Sequence, residues 1–258
     1  MSSTIELLSI IIPARNEEGC LSDTISNLRE TLRSQTLNFE LVVVDDHSTD
    51  QTWDILTQIE ADNKEVIPFQ NTTDPGFGNA VRFGLSKMSG DAAVVYMADQ
   101  SDDPEDVVRY WEKLNEGYDC VFGSRFTKGS QVIDYPIFKY ILNRFANKVI
   151  QILFRIRLND TTNAFKAYRK EVIEGCQPLL SPHFNLTVEL PLKAIIRGYT
   201  WSTIPISWKN RKSGTAKFKI KEMGSRYIFI ILYAWLEKFF SRGDYHRSNQ
   251  TPKEEKPD

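Results

Sequence analysis

Short apolar runs rich in β-branched residues alternate with segments of helical periodicity through the first half of this chain. Strands are predicted at residues 7–13, 39–44, 66–69, 92–97 and 120–122. Helices are predicted at residues 19–33, 50–61, 78–88 and 104–116. This alternation predicts an α/β fold with a mostly parallel, Rossmann-like sheet whose strands are buried on both faces by flanking helices.

The pattern changes after residue 134, where longer helices predominate. The predicted elements are a helix at 138–156, a loop with a short strand at 160–168, a helix at 185–197, a strand at 201–208 and a helix at 217–240. No long linker divides the chain, so we expect one domain over residues 1–240. Within it we distinguish a first part, about residues 5–124, from a second part, about residues 125–240. Residues 241–258 are expected to form a disordered tail.

Composition is typical of a soluble globular protein, with 41% hydrophobic and 26% charged residues. The three cysteines, Cys20, Cys120 and Cys176, are widely spaced and predict reduced core thiols. The chain opens without a basic and apolar leader, and its longest apolar run, residues 227–236, is about half of a bilayer span. We therefore expect a cytoplasmic protein, with peripheral contact to the inner membrane face as the open alternative.

Charge is divided unevenly along the chain. Residues 1–124 hold 8 Lys/Arg and 23 Asp/Glu, a net charge of −15, whereas residues 125–258 hold 24 and 11, a net charge of +13. Either folding intermixes the two halves, or the second half forms a basic face for an anionic partner. A phosphorylated acceptor or an anionic membrane surface fits that face, and no nucleic-acid-binding motif is present. Homo-oligomerisation stays open.

Polar clusters follow several of the predicted strands, at the sheet edge where α/β proteins bind ligands. Asp45 and Asp46 end the second strand, where one carboxylate can accept hydrogen bonds from a nucleoside and the other can order the loop. Asp50 is explained by helix capping. Gly76 and Gly78 precede a helix, which suits either a phosphate or an ordinary turn.

Acidic residues also follow the fourth strand. Asp99 is placed to hold a hard divalent cation through oxygen. For Asp102 and Asp103 the alternatives are ligation and capping of the next helix, and the sequence Asp-Asp-Pro-Glu favours capping. After the fifth strand, Arg125 suits a phosphate oxygen. Further cations of the basic half are Arg144, Arg169, Arg211 and Lys217.

These motifs, in this order, resemble those of family 2 glycosyltransferases, and within them the dolichol-phosphate mannosyltransferase and polyprenyl-phosphate glycosyltransferase group. The resemblance covers about residues 8–217. It rests on residues 13–17 (PARNE), 44–46 (VDD), 76–78 (GFG), 98–99 (AD), 123–125 (GSR), 160–169 (DTTNAFKAYR), Glu189 and residues 205–206 (PI).

The resemblance implies a GT-A fold with C-terminal helices, a GDP- or UDP-sugar donor, a divalent cation (Mg or Mn) and inversion at the anomeric carbon. It implies that Asp99 is the metal ligand and that Arg125 meets the diphosphate or the acceptor phosphate. The residues that it places around the donor are Pro13, Arg15, Glu17, Asp45, Asp46, Gly76, Gly78 and Ala98. Further cations that meet the diphosphate or the lipid phosphate are matched by Arg144, Arg211 and Lys217. The resemblance thus makes residues 5–124 the nucleotide-binding part and residues 125–240 the acceptor part.

The chain departs from the family pattern at three positions. Met97 stands where the first acid of the Asp-x-Asp metal motif is usual, Ser101 where a glutamine is common, and Arg15 where a tyrosine is frequent. A thioether does not replace an oxygen ligand for a hard cation. Metal binding is therefore expected to be weak, or to depend on the donor's own diphosphate.

The predicted function is transfer of a sugar from a nucleotide-sugar to a polyprenyl phosphate, a lipid-phosphate acceptor that needs no general base because it is already an anion. A hydroxyl acceptor would need a carboxylate base, for which Glu189 and Asp160 are the first candidates, ahead of His47 and His183. The alternatives are a transferase acting on a soluble or glycolipid hydroxyl, and a catalytically weak domain that binds nucleotide-sugar.

The helix predicted at residues 217–240 has two interpretations. It packs against the long helix at 138–156 and completes the core, which we favour, or part of it lies on an anionic bilayer.

Overall fold

The computed structural model describes residues 4–210 and 220–250. This part of the chain forms nine strands and nine helices. The strands are β1 (Leu8–Ala14), β2 (Phe39–Asp45), β3 (Val66–Gln70), β4 (Ala92–Val95), β5 (Cys120–Ser124), β6 (Gln131–Ile133), β7 (Lys166–Arg169), β8 (Trp201–Pro205) and β9 (Ser207–Lys209). The helices are α1 (Leu21–Ser34), α2 (Thr52–Asp62), α3 (Phe77–Lys87), α4 (Pro104–Asn115), α5 (Ile137–Phe154), α6 (Lys170–Gly175), α7 (Leu186–Ile196), α8 (Ile220–Phe240) and α9 (Arg247–Gln250).

A seven-stranded sheet in the order β3-β2-β1-β4-β7-β5-β8 forms the centre of the molecule. Every residue of β1, β2, β4 and β5 is buried, which agrees with their near-continuous apolar sequences. One hydrophobic cluster joins one face of the sheet to α1, α2 and α4, and a second joins the opposite face to α3, α6 and α7. The predicted α/β architecture with a mostly parallel sheet is confirmed.

The strand β7 is antiparallel to both of its neighbours, β4 and β5. Its amino end therefore lies at the same edge of the sheet as the carboxyl ends of β1, β2, β4 and β5. The loop that precedes β7, residues 160–165, joins the polar clusters already predicted at that edge. The sequence predicts the loop and the strand but not this reversal.

The helix α8 packs mainly against α7 and less extensively against α5. Ile230 and Ala234 lie in a third apolar cluster with Ile150 and Phe154 of α5. The favoured interpretation, in which α8 packs against the long helix, is therefore confirmed for the side of α8 that carries Ile230 and Ala234. The outer surfaces of both helices keep large apolar side chains exposed, among them Ile137, Phe138, Ile141, Phe145, Ile152, Ile228, Phe229, Leu232 and Phe240.

Two details differ from the sequence predictions. The strand predicted at residues 201–208 is two strands, because β8 joins the main sheet whereas β9 pairs with β6 in a separate two-stranded sheet. Disorder predicted from residue 241 differs from the structure, in which α9 follows and Arg247 forms an ion pair with Asp119. That anchoring ion pair lies within a sequence biased toward polar residues, which is why composition alone misses it.

The burial of the cysteines agrees with the expectation of core thiols. Cys120 and Cys176 are buried, Cys20 is partly buried, and none of the three is disulfide-bonded among the described residues. Within residues 4–210 and 220–250, none of the helices combines the length and the apolar composition that crossing a bilayer requires.

Candidate active site

Asp46 joins the end of β2 to the start of α3. The side chain is buried, and its Oδ1 accepts a hydrogen bond of 2.9 Å from Asn71 Nδ2. The Gly76 amide donates to both carboxylate oxygens, at 3.2 and 3.0 Å. Arg15 lies on the outer side, with its Nη1 3.8 Å from Asp46 Oδ2. Asp46 therefore orders the loop at this edge, the role that the sequence assigns to one of the two acids.

Asp45 differs from its neighbour in having an unsatisfied oxygen. It is 4% exposed, and its Oδ1 has no hydrogen-bond partner among the described residues. Leaving a buried acceptor unpaired costs about 1–3 kcal/mol, more when it is charged. Such an oxygen at the ligand-binding edge can accept a donor group from a bound molecule. Pro13 and Ala14 of β1 are in register with Val44 and Asp45, so the segment that carries Arg15 and Glu17 lies beside it.

The glycines before α3 contact protein main chain. A Cβ at Gly76, where φ is +154°, would lie 2.4 Å from the Pro182 carbonyl oxygen. A Cβ at Gly78 would lie 2.3 Å from the Ser181 carbonyl oxygen. The amide of Asn79 also donates to the Pro182 carbonyl, at 3.1 Å. The space beside these glycines, where the sequence suggests a phosphate, is filled by the segment at residues 181–183.

A cavity of about 240 Å³ opens beyond the end of β4. Asp99 is partly exposed at this cavity and accepts a hydrogen bond from the Ser101 amide, at 3.2 Å. Ala98 is buried behind it, and its carbonyl accepts from Thr24 Oγ1 at 2.8 Å. The lining residues are Thr24, Asn27, Tyr96, Asp99, Gln100, Asp102, Pro104, Lys209 and Asn210.

Asp102 and Asp103 have separate roles. Asp103 caps α4 by accepting a hydrogen bond from the Glu105 amide, so capping is confirmed for this residue. Asp102 instead lines the cavity, 5% exposed, and its Oδ2 accepts from the Met97 amide at 3.2 Å. Burial, and then the charge of Asp99, raises the pKa of Asp102 to about 8. The preference for capping is therefore wrong for Asp102, which faces the predicted metal site.

Arg125 and Asp160 form a buried bidentate ion pair at the end of β5. Both joining distances, Nε to Oδ2 and Nη2 to Oδ1, are 2.8 Å, and the Arg125 amide also donates to Oδ2 at 3.0 Å. Burial alone would lower the pKa of Arg125, but the carboxylate of Asp160 raises it above the ordinary value. The guanidinium also lies 5.5–5.8 Å from the ring centres of Phe126, Tyr135 and Trp208. Its position is thereby fixed.

The loop that carries Asp160 is held by α5 and by a buried lysine. Asn147 of α5 accepts from the Thr161 amide at 2.6 Å through its side-chain oxygen. Lys166 Nζ donates to the carbonyls of Thr161, Asn163 and Thr187, and so joins this loop to α7. The neighbouring α5 residue Arg144 donates to the Asn159 carbonyl at 3.0 Å and lies over the Phe126 ring. Two predicted cations, Arg125 and Arg144, therefore contact the same loop.

Glu189 is fully buried in α7, away from the cavity lining. Its two oxygens accept from the amides of Leu180 and Ser181, each at 2.7 Å, and Lys193 forms an ion pair with it at 2.8 Å. In this conformation it holds the loop that packs on Gly76 and Gly78.

Two of the predicted residues, Arg211 and Lys217, lie outside the described residues. Lys209 and Asn210, which precede Arg211, line the cavity beyond β4. We call it the acidic cavity, because Asp99 and Asp102 also line it. Among the described residues, no group of three His, Cys, Asp or Glu side chains is arranged to hold a metal ion. Sequence reasoning gave no separate role to Asn147 or Lys166, and for Asp102 it favoured capping over ligation. Only Asp102 gave a signal, as the first of two adjacent acids of which one is enough to cap a helix.

Comparison with known proteins gives a family. The model of glycosyl transferase family 2 matches residues 9–176. A dolichol-phosphate mannosyltransferase of Pyrococcus furiosus is 34% identical over 217 residues, which are 83% of this chain and 60% of that protein. This chain belongs to glycosyl transferase family 2.

Other relatives in the family include a polyprenol monophosphomannose synthase of Mycolicibacterium smegmatis, 28% identical over 84% of this chain and 86% of that protein. The predicted resemblance to this group is thus confirmed. This chain spans less than two thirds of the Pyrococcus relative, at 60% of its length.

Solved structures support the fold. A glucosyl-3-phosphoglycerate synthase from Mycobacterium tuberculosis, in complex with Mn²⁺, UDP and phosphoglyceric acid, has a TM-score of 0.66 and 19% identity, covering 89% of this chain and 78% of that chain. The same synthase in complex with Mg²⁺ and UDP has a TM-score of 0.64, 19% identity and coverages of 89% and 79%. The GT-A fold predicted from the sequence motifs is confirmed.

Proposed function

We propose that this family 2 protein is an inverting glycosyltransferase that moves a sugar from a nucleotide-sugar to a polyprenyl phosphate. The observation that carries this proposal is the buried Arg125–Asp160 pair, which holds a fixed guanidinium at the sheet edge that also bears the acidic cavity. Relatives named for dolichyl, polyprenyl and undecaprenyl phosphate substrates support the acceptor class.

The donor is assigned to the edge formed by β1, β2 and β4. The unpartnered Oδ1 of Asp45 suits a hydroxyl or amine of the nucleoside, and Arg15 and Glu17 lie on the adjoining segment. Asp46 keeps the loop at Gly76 in place. Whether the nucleoside is guanosine or uridine is decided by calorimetry with GDP and UDP.

The side chains of the acidic cavity that carry oxygen atoms fit a Mg²⁺ or Mn²⁺ ion. Asp99 and Asp102 offer carboxylate oxygens, and Asn27 and Asn210 line the same cavity with side-chain amides. Asp102 thereby compensates for Met97, which has no oxygen to offer. A divalent ion bound there supplies charge neutralisation for the leaving diphosphate. Two carboxylates would not complete the coordination shell of such an ion, so its binding is expected to depend on a bound nucleotide-sugar.

The acceptor phosphate is assigned to Arg125 and Arg144. In the transfer, an acceptor phosphate oxygen attacks the anomeric carbon while the bond from that carbon to the diphosphate breaks on the opposite face. A phosphate anion needs no proton removed, so Asp160 and Glu189 can remain in the contacts that they make. Both act as positioning residues in this proposal: Asp160 orients Arg125, and Glu189 orders residues 180–181.

The exposed apolar side chains of α5 and α8 provide the contact with a membrane that holds such an acceptor. The helix α5 contains Lys139, Arg144 and Lys148 and no acidic residue, so cations accompany its apolar surface. Apolar side chains that enter the interface and cations that face anionic lipid are the marks of an interfacial helix. The α5 residues Asn147 and Arg144 hold the Asp160 loop, so membrane contact and acceptor site share one helix.

A transfer assay tests the proposal. Each GDP- and UDP-sugar is incubated with the protein, Mn²⁺ and either polyprenyl phosphate in vesicles or a soluble oligosaccharide, and the products are identified by mass spectrometry. Glycosyl phosphate lipid of inverted configuration is expected with one donor. Transfer to the oligosaccharide alone would favour a hydroxyl-specific transferase, and donor binding without transfer would favour a weak binding domain.

A further inference from the structure

A second cavity, of about 340 Å³, lies between α7, α8 and the loop before α7. It shares no lining residue with the acidic cavity. The lining residues are Leu180, Ser181, Pro182, Asn185, Ser225, Arg226, Phe229 and Ile230. Its volume is at the lower end of the range of small-molecule sites.

Two buried polar side chains of this cavity are unsatisfied. Ser181 is 1% exposed and Asn185 is 3% exposed. Ser181 Oγ and Asn185 Oδ1 have no hydrogen-bond partner among the described residues. Burying such groups without partners costs about 1–3 kcal/mol each. Buried polar groups are normally paired. Because Ser181 and Asn185 both line the cavity, a turn of either side chain would bring its unpaired atom to a ligand that supplies hydrogen bonds.

The polar atoms specify part of that ligand. Asn185 Oδ1 is an acceptor and needs a donor, such as a hydroxyl group, whereas the Ser181 hydroxyl can donate or accept. The amides of Leu186 and Thr187 already donate to the carbonyls of His183 and Phe184, so the start of α7 offers little to an anion. Arg226 is the cation of the lining and favours an anionic group.

The apolar residues specify the rest. Leu180 is 40% exposed and Phe229 is 60% exposed, so the rim of the cavity is apolar and open. Ile228 and Leu232 continue this exposed apolar surface along α8. A ligand that enters here therefore has its polar part inside, at Ser181, and an apolar part along α8.

We infer that this cavity binds the headgroup of an anionic phospholipid that carries hydroxyl groups, with phosphatidylglycerol as the probe of that class. The phosphate contacts Arg226, the headgroup hydroxyls pair with Asn185 Oδ1 and Ser181 Oγ, and the acyl chains follow Phe229 out of the cavity. The inference rests on the membrane contact proposed above. It adds recognition of one lipid class to a contact that otherwise depends on charge and apolar area alone.

Vesicle flotation tests this recognition at constant charge. Phosphatidylcholine vesicles contain either phosphatidylglycerol or phosphatidylserine at equal molar fraction, and the full chain is titrated with each. Simple electrostatic attraction predicts equal binding, since both lipids carry one negative charge. The cavity predicts a preference for phosphatidylglycerol of about fivefold to tenfold, the worth of one or two hydrogen bonds.

Variants connect the preference to the cavity. Ser181→Ala and Asn185→Leu are expected to abolish the preference while binding to phosphatidylserine vesicles stays the same. Ser181→Ala is also expected to keep or raise the melting temperature, because its hydroxyl has no partner to lose. Arg226→Gln should weaken binding to phosphatidylglycerol more than Arg242→Gln, a matched loss of charge outside the cavity.

Three outcomes would overturn the inference. Equal binding of wild type to both vesicles, or a preference that survives in Ser181→Ala and Asn185→Leu, would remove the headgroup site and leave the membrane contact intact. Equally tight calorimetric binding of soluble sn-glycerol 3-phosphate would assign the cavity to a free metabolite instead of a lipid. Failure to float with any vesicle would refute the membrane contact and this inference together.

Discussion

Buried carboxylates have opposite roles at the two ends of the sheet edge where the carboxyl ends of β1, β2, β4 and β5 lie. On the side of β2, Asp46 holds a loop through the Gly76 amide, and Asp45 keeps an oxygen unpaired. On the side of β5, both oxygens of Asp160 are occupied by the guanidinium of Arg125. The first region has capacity left for a ligand's donor groups, whereas the second presents a cation. The hydrogen-bond and ion-pair partners of a buried carboxylate therefore indicate which part of a substrate it meets. The carboxylate alone does not indicate this.

The largest expected effect comes from the acceptor side. Arg125→Lys keeps the charge but loses the bidentate geometry, so we expect transfer to polyprenyl phosphate to fall by about a hundredfold, as for the loss of other preorganised charge stabilisers. Affinity for the nucleoside diphosphate, measured by calorimetry, should change little. The matched control is Arg29→Lys, because Arg29 of α1 forms an ion pair with Glu65 away from the site. Unchanged transfer in Arg125→Lys would contradict the acceptor assignment.

The next effect concerns the metal. Asp99→Asn and Asp102→Asn should each weaken Mn²⁺ binding by at least about tenfold, since even residues behind the ligands contribute 10–100-fold. Binding is measured by calorimetry in the presence of nucleoside diphosphate. Asp103→Asn serves as the control, because asparagine caps a helix about as well as aspartate.

Met97→Asp extends the same test, because it places a carboxylate where the Asp-x-Asp motif of the family usually has its first acid. It should tighten Mn²⁺ binding and reduce the loss caused by Asp102→Asn. If Asp102→Asn binds Mn²⁺ as wild type does, the second carboxylate is not a ligand and Asp99 acts with the donor alone.

On the nucleotide-sugar side, substitutions of the adjacent residues Asp45 and Asp46 are expected to differ in their effect on the melting temperature. Asp45→Ala is expected to weaken nucleoside diphosphate binding by about tenfold, the worth of a hydrogen bond to a charged group, and to leave the melting temperature the same or higher. Asp46→Ala should weaken binding too, but it also leaves the Gly76 amide and Asn71 without their acceptor and so lowers the melting temperature. Equal nucleotide affinity in wild type and Asp45→Ala would show that its oxygen has another use.

The smallest effect is expected on the membrane side. Ile141→Ser or Phe145→Ser on α5 removes exposed apolar area, and each should reduce binding to anionic vesicles by about fivefold to tenfold. Donor affinity should stay the same, and binding should fall further as salt is added. Leu180→Ser, on the rim of the second cavity, tests whether the loss is specific to α5. Vesicle binding that is insensitive to all three substitutions would place the contact elsewhere.

The sequence predicts most of the central sheet, because buried parallel strands have near-continuous apolar runs and the helices between them are amphipathic. It does not predict that β7 runs antiparallel between β4 and β5, since four residues carry no directional signal. It also does not predict which apolar side chains of α5 are exposed, because apolar residues surround that helix and periodicity cannot choose a face.

The candidate site likewise contains some features that the sequence predicts and others that it does not. Asp46, Asp99 and Arg125 follow from their places at strand ends, where open α/β sheets bind ligands. The division of labour between Asp102 and Asp103 does not, because both suit a helix start and only packing turns one inward. The closure of Gly76 and Gly78 against residues 181–183 joins segments about a hundred positions apart in the chain, a contact that no local pattern contains.

The position of β7 has a consequence for attempts to dissect the protein. A fragment of residues 1–124 would contain β1 to β5, yet β5 pairs only with β7 and β8 among the described strands. In such a fragment β5 would have no partner strand, and β4 would become an exposed edge of an apolar sheet. Unprotected margins of this kind recruit other chains and aggregate. The acidic half is therefore not a portable nucleotide-binding module, and shortened versions should be cut beyond β8.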